Sequence, residues 1–449
     1  MNFDFMKEFS KYYDNFISDT VNLLQKPSVL TEYNPNNIEA PFGMDIRKCL
    51  DHFLNMAKGD GFKVKNVDNY AGYLEYGEGE DLLAILCHLD VVPAIGDWFY
   101  PPFSATIVDD KIYARGAMDD KGPAMAAYYA LKMLKDEGIK LNKRVRLIVG
   151  CDEESGSRCL EHYLKVEENP TLGFSPDADF PLIYAEKGIA SFAFKGIDSS
   201  DLKTFKAGVR LNMVPNLCEA TFKSNHQKEF ESFLKDNNYQ GKYEDGIYKT
   251  FGKNAHGSMP ELGLNAASIM AKFVLSVTDS KMAKFINDYL AFDHQGKKLN
   301  INTYDEEMKH LSLNPAIFNL EDSHFMVSSN IRYPRNFNYD IKMNELRELA
   351  KRLDLEFIEL GNSKPLYVSK ESKLVKTLYS SYQKYTGDVT PPMTIGGGTY
   401  AREIKNAVAF GPQFPGREES IHQPNEHAYI IDLVKAVFIY KDAIKNLCD

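Results

Sequence analysis

The chain is predicted to be an α/β protein: a discontinuous domain with a mostly parallel sheet flanked by helices, interrupted by an inserted α+β domain. Three observations predict this. Short apolar runs alternate with helical segments up to about residue 186, the texture then changes to polar strands and charged helices, and the α/β texture resumes near Leu366. The discontinuous domain is therefore assigned to residues 1–186 and 366–449. The insertion, 187–365, is much longer than the roughly 100 residues that a single small α+β module needs and is expected to hold two such modules.

Each element has its own signal. Residues 82–87 (LLAILC) form an apolar run suited to a strand buried on both faces. Residues 123–136 open with a proline, are rich in Ala, Leu and Met, and stop at Gly138, as a helix does. Residues 144–150 (RVRLIVG) are the next β-rich run, and 181–185 a weaker one. Strand, helix and strand in this order predict parallel pairing, with the chemistry beyond the carboxyl ends of the strands. Inside the insertion, 223–249 is rich in Lys and Asn; beyond it come a helix at 373–385, a Gly-rich loop at 396–398 and a closing helix at 432–447.

Composition narrows the function classes. The chain has 449 residues, 44% of them hydrophobic and 26% charged, which excludes disordered and collagenous chains. Fifty-three basic against 63 acidic residues give a net charge of −10 with no dense basic run, so nucleic acid and anionic membranes are excluded as expected partners. The six cysteines include no Cys-x-x-Cys pair, and Cys87 and Cys151 end apolar runs as buried thiols do, a pattern of a reducing compartment. Residues 1–26 lack the apolar core of a signal peptide, and no apolar stretch reaches about 18 residues. A cytoplasmic protein is expected.

Four of these segments adjoin metal-ligand residue types. His88 and Asp90 follow the first apolar run, Asp119 and Asp120 precede the Pro123 helix, Glu153 and Glu154 follow 144–150, and Asp177 and Asp179 lie just before 181–185. Singly, each has a bland explanation: an Asp pair before a helix caps it, adjacent glutamates sit in a solvated loop, and a histidine after an apolar run is a core residue. Together on one sheet edge, so many carboxylates would repel unless a cation lay among them. One histidine with several carboxylates suits zinc or manganese.

These blocks resemble a known family. His88-Leu-Asp90-Val-Val-Pro, Ala114-Arg115-Gly116-Ala117-Met118-Asp119-Asp120-Lys121-Gly122-Pro123, Asp152-Glu153-Glu154-Ser155-Gly156 and Ser175-Pro176-Asp177-Ala178 are similar to the signatures of the dinuclear metallopeptidases that include carboxypeptidase G, peptidase T, aminoacylase and the carnosinase-like dipeptidases. Ala255-His256-Gly257-Ser258, Asn330-Ile331-Arg332-Tyr333-Pro334, Gly396-Gly397-Gly398-Thr399 and His422-Gln423-Pro424-Asn425-Glu426 continue the match in order. The resemblance runs from about Arg47 to the C-terminus and is strongest to the bacterial dipeptidase V (Xaa-His or β-Ala dipeptidase) branch.

The resemblance implies two divalent metal ions, with zinc favoured and manganese left open. His88 and Asp177 would bind one, Glu154 and His422 the other, and Asp119 would bridge both; the Asp119–Asp120 peptide would be cis. Asp90, two residues from His88 on an extended strand, is expected to orient the imidazole through its carboxylate. Glu153 resembles the general base, His256 the lid histidine that donates to the oxyanion, Arg332 the residue that takes the substrate's terminal carboxylate, and Asn212 a companion polar contact. The bland reading of these last three is an ordinary surface hydrogen bond. Gly396–Gly398 would present N–H groups or form a tight turn, and His427 is taken as a bystander.

The expected function is thus metal-dependent hydrolysis of a small peptide substrate, a dipeptide, by a monomer. Aspartate rather than glutamate at position 177 resembles the aminopeptidase-like members. The alternatives are an amidohydrolase or desuccinylase acting on N-acyl amino acids, and a catalytically silent peptide-binding protein.

Overall fold

The computed structural model of the chain describes residues 3–449. It divides into two compact units, one comprising residues up to Ala185 with Tyr367–Met393 and Thr399–Asp449, the other Glu186–Leu366 with Thr394–Gly398. The second unit thus includes the Gly-rich loop, which the sequence reading left in the catalytic domain.

The first unit is built on a mixed sheet in which the strands beginning at Lys63, Ala71, Arg144, Leu82, Leu172, Ala407, Ile183 and Leu366 follow one another in that order. The four central strands, from Arg144 to Ala407, are parallel. The Lys63 and Ala71 strands are antiparallel, as is the pairing of Ala407–Ala409 with Ile183–Glu186. Leu82–His88 is buried at every position, as its unbroken apolar run requires of a central strand.

Helix Lys121–Asp136 is buried along most of its length, against the sheet on one side and helices Phe5–Leu24 and Ile430–Cys448 on the other. It begins two residues before Pro123, so the proline lies within its first turn, where its missing N–H has no intrahelical partner to lose. All six cysteines are buried and free. No helix among the described residues is long and apolar enough to cross a membrane.

The second unit is one antiparallel sheet of eight strands, beginning in spatial order at Gln240, Ile247, Leu217, Leu202, Ser312, His324, Gly188 and Glu356. Helices Gln227–Asn237 and Ala266–Val277 pack on the first four strands, and Lys281–Tyr289 and Tyr339–Arg352 on the last four. The two halves join where Phe205 pairs with Leu320, and a single aromatic-rich core that includes Phe194, Phe230, Phe273 and Phe285 runs beneath both. The Lys- and Asn-rich stretch at 223–249 becomes helix Gln227–Asn237 and a hairpin, with lysines on the exposed edge.

Candidate metal centre

Parallel pairing carries the expected clusters to one end of the first unit's sheet. His88 ends its strand opposite Gly150, the last residue of Arg144–Gly150, and Glu153 and Glu154 lie in the turn that follows. Asp177 comes just after strand Leu172–Ser175. Asp119 arrives from the loop leading into helix Lys121–Asp136, where glycines are needed twice: Gly116 has φ +87°, and a Cβ on Gly122 would lie 2.0 Å from the Ala117 carbonyl oxygen. The Asp119–Asp120 peptide is cis.

Asp119 sits between two histidines. Its Oδ1 lies 2.9 Å from His88 Nε2 and its Oδ2 2.9 Å from His422 Nε2. Asp177 Oδ2 lies 3.7 Å from the same nitrogen of His88, and Glu154 Oε1 lies 3.0 Å from that of His422. The structure therefore brings His88, Asp119, Glu154, Asp177 and His422 together, as two nitrogen–carboxylate groups sharing one aspartate. His422 holds its place with φ +59°, in the left-handed region that non-glycine residues rarely adopt.

This donor set fits divalent cations. Two ligands each about 2.1 Å from a common ion and subtending 90–120° lie about 3.0–3.6 Å apart, close to these separations. Both ring nitrogens of His88 face oxygens, Nε2 toward Asp119 and Nδ1 toward the Asp90 carbonyl at 2.9 Å. Only an imidazolium, or an imidazole that donates through Nδ1 and ligates through Nε2, satisfies both. Ligand atoms of His88, Asp119 and Glu154 all lie within 4.8 Å of one another.

Electrostatics point the same way. Burial alone would favour a neutral His88, yet hydrogen bonds to Asp119 and Asp177 outweigh it and hold the imidazole well above its usual range. Hydrogen bonds to Asp119 and Glu154 push His422 up to about 10. Burial, reinforced by Asp119, raises the Asp177 carboxyl. Burial also raises Glu153 against the pull of His88, with Asp177, Glu154 and Asp119 adding to the rise. Such a cluster of negative potential calls for positive charge, which dications supply without protonating its members.

Two aspartates act differently from the sequence expectation. The Asp90 carboxylate does not orient His88 directly: the acceptor for Nδ1 is the Asp90 backbone carbonyl, and the nearest approach of the carboxylate is 3.7 Å. Its two oxygens instead accept the N–H groups of Glu153 at 3.0 Å and Glu154 at 3.1 Å. Asp120 stands at the helix N-cap, but its side chain makes no capping bond: its Oδ2 accepts the His88 N–H at 3.0 Å, while Oδ1 is buried without a partner.

Three expected residues belong to the second unit. Arg332 is buried, its Nε donating to Asn330 Oδ1 at 2.9 Å and Nη1 to the Gly396 carbonyl at 3.1 Å. The side chain of His256 is exposed, and its Nδ1 accepts the Ser258 N–H at 3.3 Å with the Ser258 hydroxyl 2.7 Å away, which leaves the ring proton on Nε2. Asn212 lies beside it, because the Gly257 N–H donates to the Asn212 carbonyl at 2.7 Å. Asn314 secures that loop, its amide donating to the Leu211 and Met213 carbonyls at 3.0 and 3.1 Å. His427 pairs with Glu418 at 2.9 Å.

Sequence reasoning gave no role to Glu426, although it stands in the same block as His422. Its buried carboxylate accepts three backbone N–H groups of the Asp119 loop and pairs with Arg115. The only signal was its place four residues after a candidate ligand.

Comparison with known proteins agrees with this architecture. The sequence pattern of Peptidase family M20/M25/M40 matches residues 84–446. A Bacillus subtilis (strain 168) protein named "Putative dipeptidase YtjP" is 40% identical over 454 aligned positions, covering 97% of both chains. A "Putative dipeptidase" of Staphylococcus epidermidis is 39% identical, covering 98% of both. Among solved structures, human carnosine dipeptidase 1 has a similar fold, with a TM-score of 0.60 at 13% identity over 99% of this chain and 98% of that one. An M20 family metallo-carboxypeptidase from Sulfolobus solfataricus gives 0.57 at 21% identity over 96% and 99%. On the extent of the family match and of its relatives, this chain belongs to Peptidase family M20/M25/M40 and is a metallopeptidase.

Proposed function

We propose that the chain is a dipeptidase working with two divalent cations, zinc or manganese, one held by His88 and Asp177, the other by Glu154 and His422, with Asp119 shared. The observation that carries this reading is the division of the Asp119 oxygens between two histidines, each with a second carboxylate beside it. Relatives named as dipeptidases, similar over nearly the whole chain, support the substrate class.

When bound, the cations supply Lewis acidity and lower the pKa of the attacking water. Glu153 takes the proton from that water and delivers it to the leaving amine. His256 donates from Nε2 to the oxyanion. Arg332, its Nε and Nη1 fixed by Asn330 and Gly396, takes the terminal carboxylate, and Asn212 adds a polar contact to substrate. The proposed working form is a cytoplasmic monomer, in keeping with six free thiols; light scattering at 51.0 kDa checks the mass.

The test is release of free amino acids from a dipeptide panel by metal-stripped chain reconstituted with zinc or with manganese. Hydrolysis that requires metal supports the reading. Hydrolysis of N-acyl amino acids alone would make the chain an amidohydrolase, and tight peptide binding without turnover would make it a binding protein.

A further inference from the structure

The Glu426 carboxylate is surrounded by more donors than packing demands. Its Oε1 accepts the N–H groups of Gly116 at 3.1 Å, Met118 at 3.0 Å and Asp119 at 3.2 Å. Its Oε2 takes Arg115 Nη1 at 2.5 Å, and the Glu426 carbonyl accepts the Ala114 N–H at 3.1 Å. Both side chains of this ion pair are buried. The guanidinium is held on its other sides by the Pro93 carbonyl, 3.4 Å from Nη2, and by the ring of Trp98 at 5.2 Å. A buried ion pair costs desolvation, and its retention calls for a reason other than stability.

Its placement supplies one. Glu426 ends the short loop that carries His422, and the turn it gathers ends in Asp119. One carboxylate therefore ties together the two loops whose side chains meet at 2.9 Å. Asp119 has to present one oxygen to each histidine; the one that faces His422 depends on how the two loops are held together, and ligand positions tolerate errors of only about 0.5 Å.

We propose that Glu426 is a positioning residue: the oxygen that accepts the Gly116, Met118 and Asp119 N–H groups, with Arg115 balancing the carboxylate's charge, fixes the Gly116–Asp119 turn against the His422 loop and so sets the Asp119–His422 separation on which the second cation depends. This rests on the dinuclear reading above. Nothing in it needs Glu426 to touch a cation or substrate.

The experiment is calorimetric zinc titration of the metal-stripped full-length chain, with kcat and KM measured at saturating zinc and the melting temperature recorded alongside. Glu426→Ala removes the clamp; Glu426→Asp keeps the charge but draws the oxygens back by one methylene; Glu426→Gln combined with Arg115→Met keeps an acceptor oxygen without the charge pair. The wild-type chain is expected to bind two zinc ions. Glu426→Ala and Glu426→Asp should bind one ion as the wild-type chain does and the other at least about tenfold more weakly, with kcat lowered and KM nearly unchanged. The double variant should regain most of the lost affinity.

A purely structural Glu426 would lower the melting temperature without altering the ratio of the two affinities, and that result would overturn the proposal. So would failure of the double variant to recover. Should Glu426→Ala not fold, Glu426→Asp carries the test, and two wild-type affinities in it would overturn the proposal. Fewer than two ions on the wild-type chain would instead overturn the dinuclear reading itself, so the two failures are told apart.

Discussion

Asp90 holds the backbone of Glu153, accepting its N–H at 3.0 Å through one carboxylate oxygen while the other accepts that of Glu154 at 3.1 Å. A buried aspartate therefore sets the direction in which two neighbouring glutamates leave the chain. Asp90→Asn keeps one acceptor and turns an N–H donor toward the other amide. The expected result is a fall in kcat of roughly 10- to 100-fold. Affinity for the ion at His88 should be almost unaffected, since the Nδ1 acceptor is a main-chain carbonyl. A variant that loses that ion first would show that the carboxylate orients the imidazole after all.

Glu153→Gln should abolish turnover with both ions still bound. The amide is similar in size but cannot take a proton, and loss of a general base costs at least about 10² to 10⁴ in rate. Metal analysis beside kinetics checks this; a near-normal kcat would remove Glu153 from the proton path.

Arg332→Ala should raise KM for dipeptides more than it lowers metal content. Its planar fork suits a carboxylate, so the penalty should shrink when the substrate's terminal carboxylate is amidated. Equal losses on free and amidated substrates would show that Arg332 does not read that group.

Stability of the second unit should depend on Asp198. Its carboxylate accepts from the Ser200 N–H at 3.0 Å, the Ser200 and Ser280 hydroxyls at 2.5 Å and the Met282 N–H at 2.9 Å, pinning the start of helix Lys281–Tyr289. Burial opposes ionisation here, but these donors outweigh it and hold the pKa below its ordinary value. Asp198→Ala should cost about 3 kcal/mol at neutral pH. Because the folded-state pKa is depressed, the contribution is complete above the unfolded value of about 3.9 and fades as pH falls through the folded one. Urea unfolding of both chains should show the gap narrowing in acid; a gap constant with pH would contradict the assignment.

His88 and the Glu153–Glu154 pair were legible because each follows an apolar run, and parallel pairing brings the ends of such runs to one edge; Asp119 and Asp177 adjoin other segments, and His422 stood out only through the family resemblance. Direction of pairing was not legible throughout: an apolar or alternating run looks the same either way, and the Lys63 and Ala71 strands proved antiparallel. Asp120 was hidden because an aspartate before a helix looks like a cap, yet its side chain turns away to the His88 amide. Arg115 and Glu426 were hidden by distance along the chain, for nothing local in either block reveals a partner so remote.

The first and last strands of the inserted unit, Gly188–Ile197 and Glu356–Ser363, are hydrogen-bonded neighbours, with Ile189 opposite Ser363. The insertion therefore enters and leaves through one doorway about 5 Å wide, the spacing of paired strands. To the chain on either side it resembles a short turn: once the inserted sheet has formed, bringing Ala185 and Tyr367 together carries the closure entropy of a few residues instead of a long loop. The cost of closing the interrupted sheet around this insertion is thereby set by the doorway and not by the number of residues beyond it.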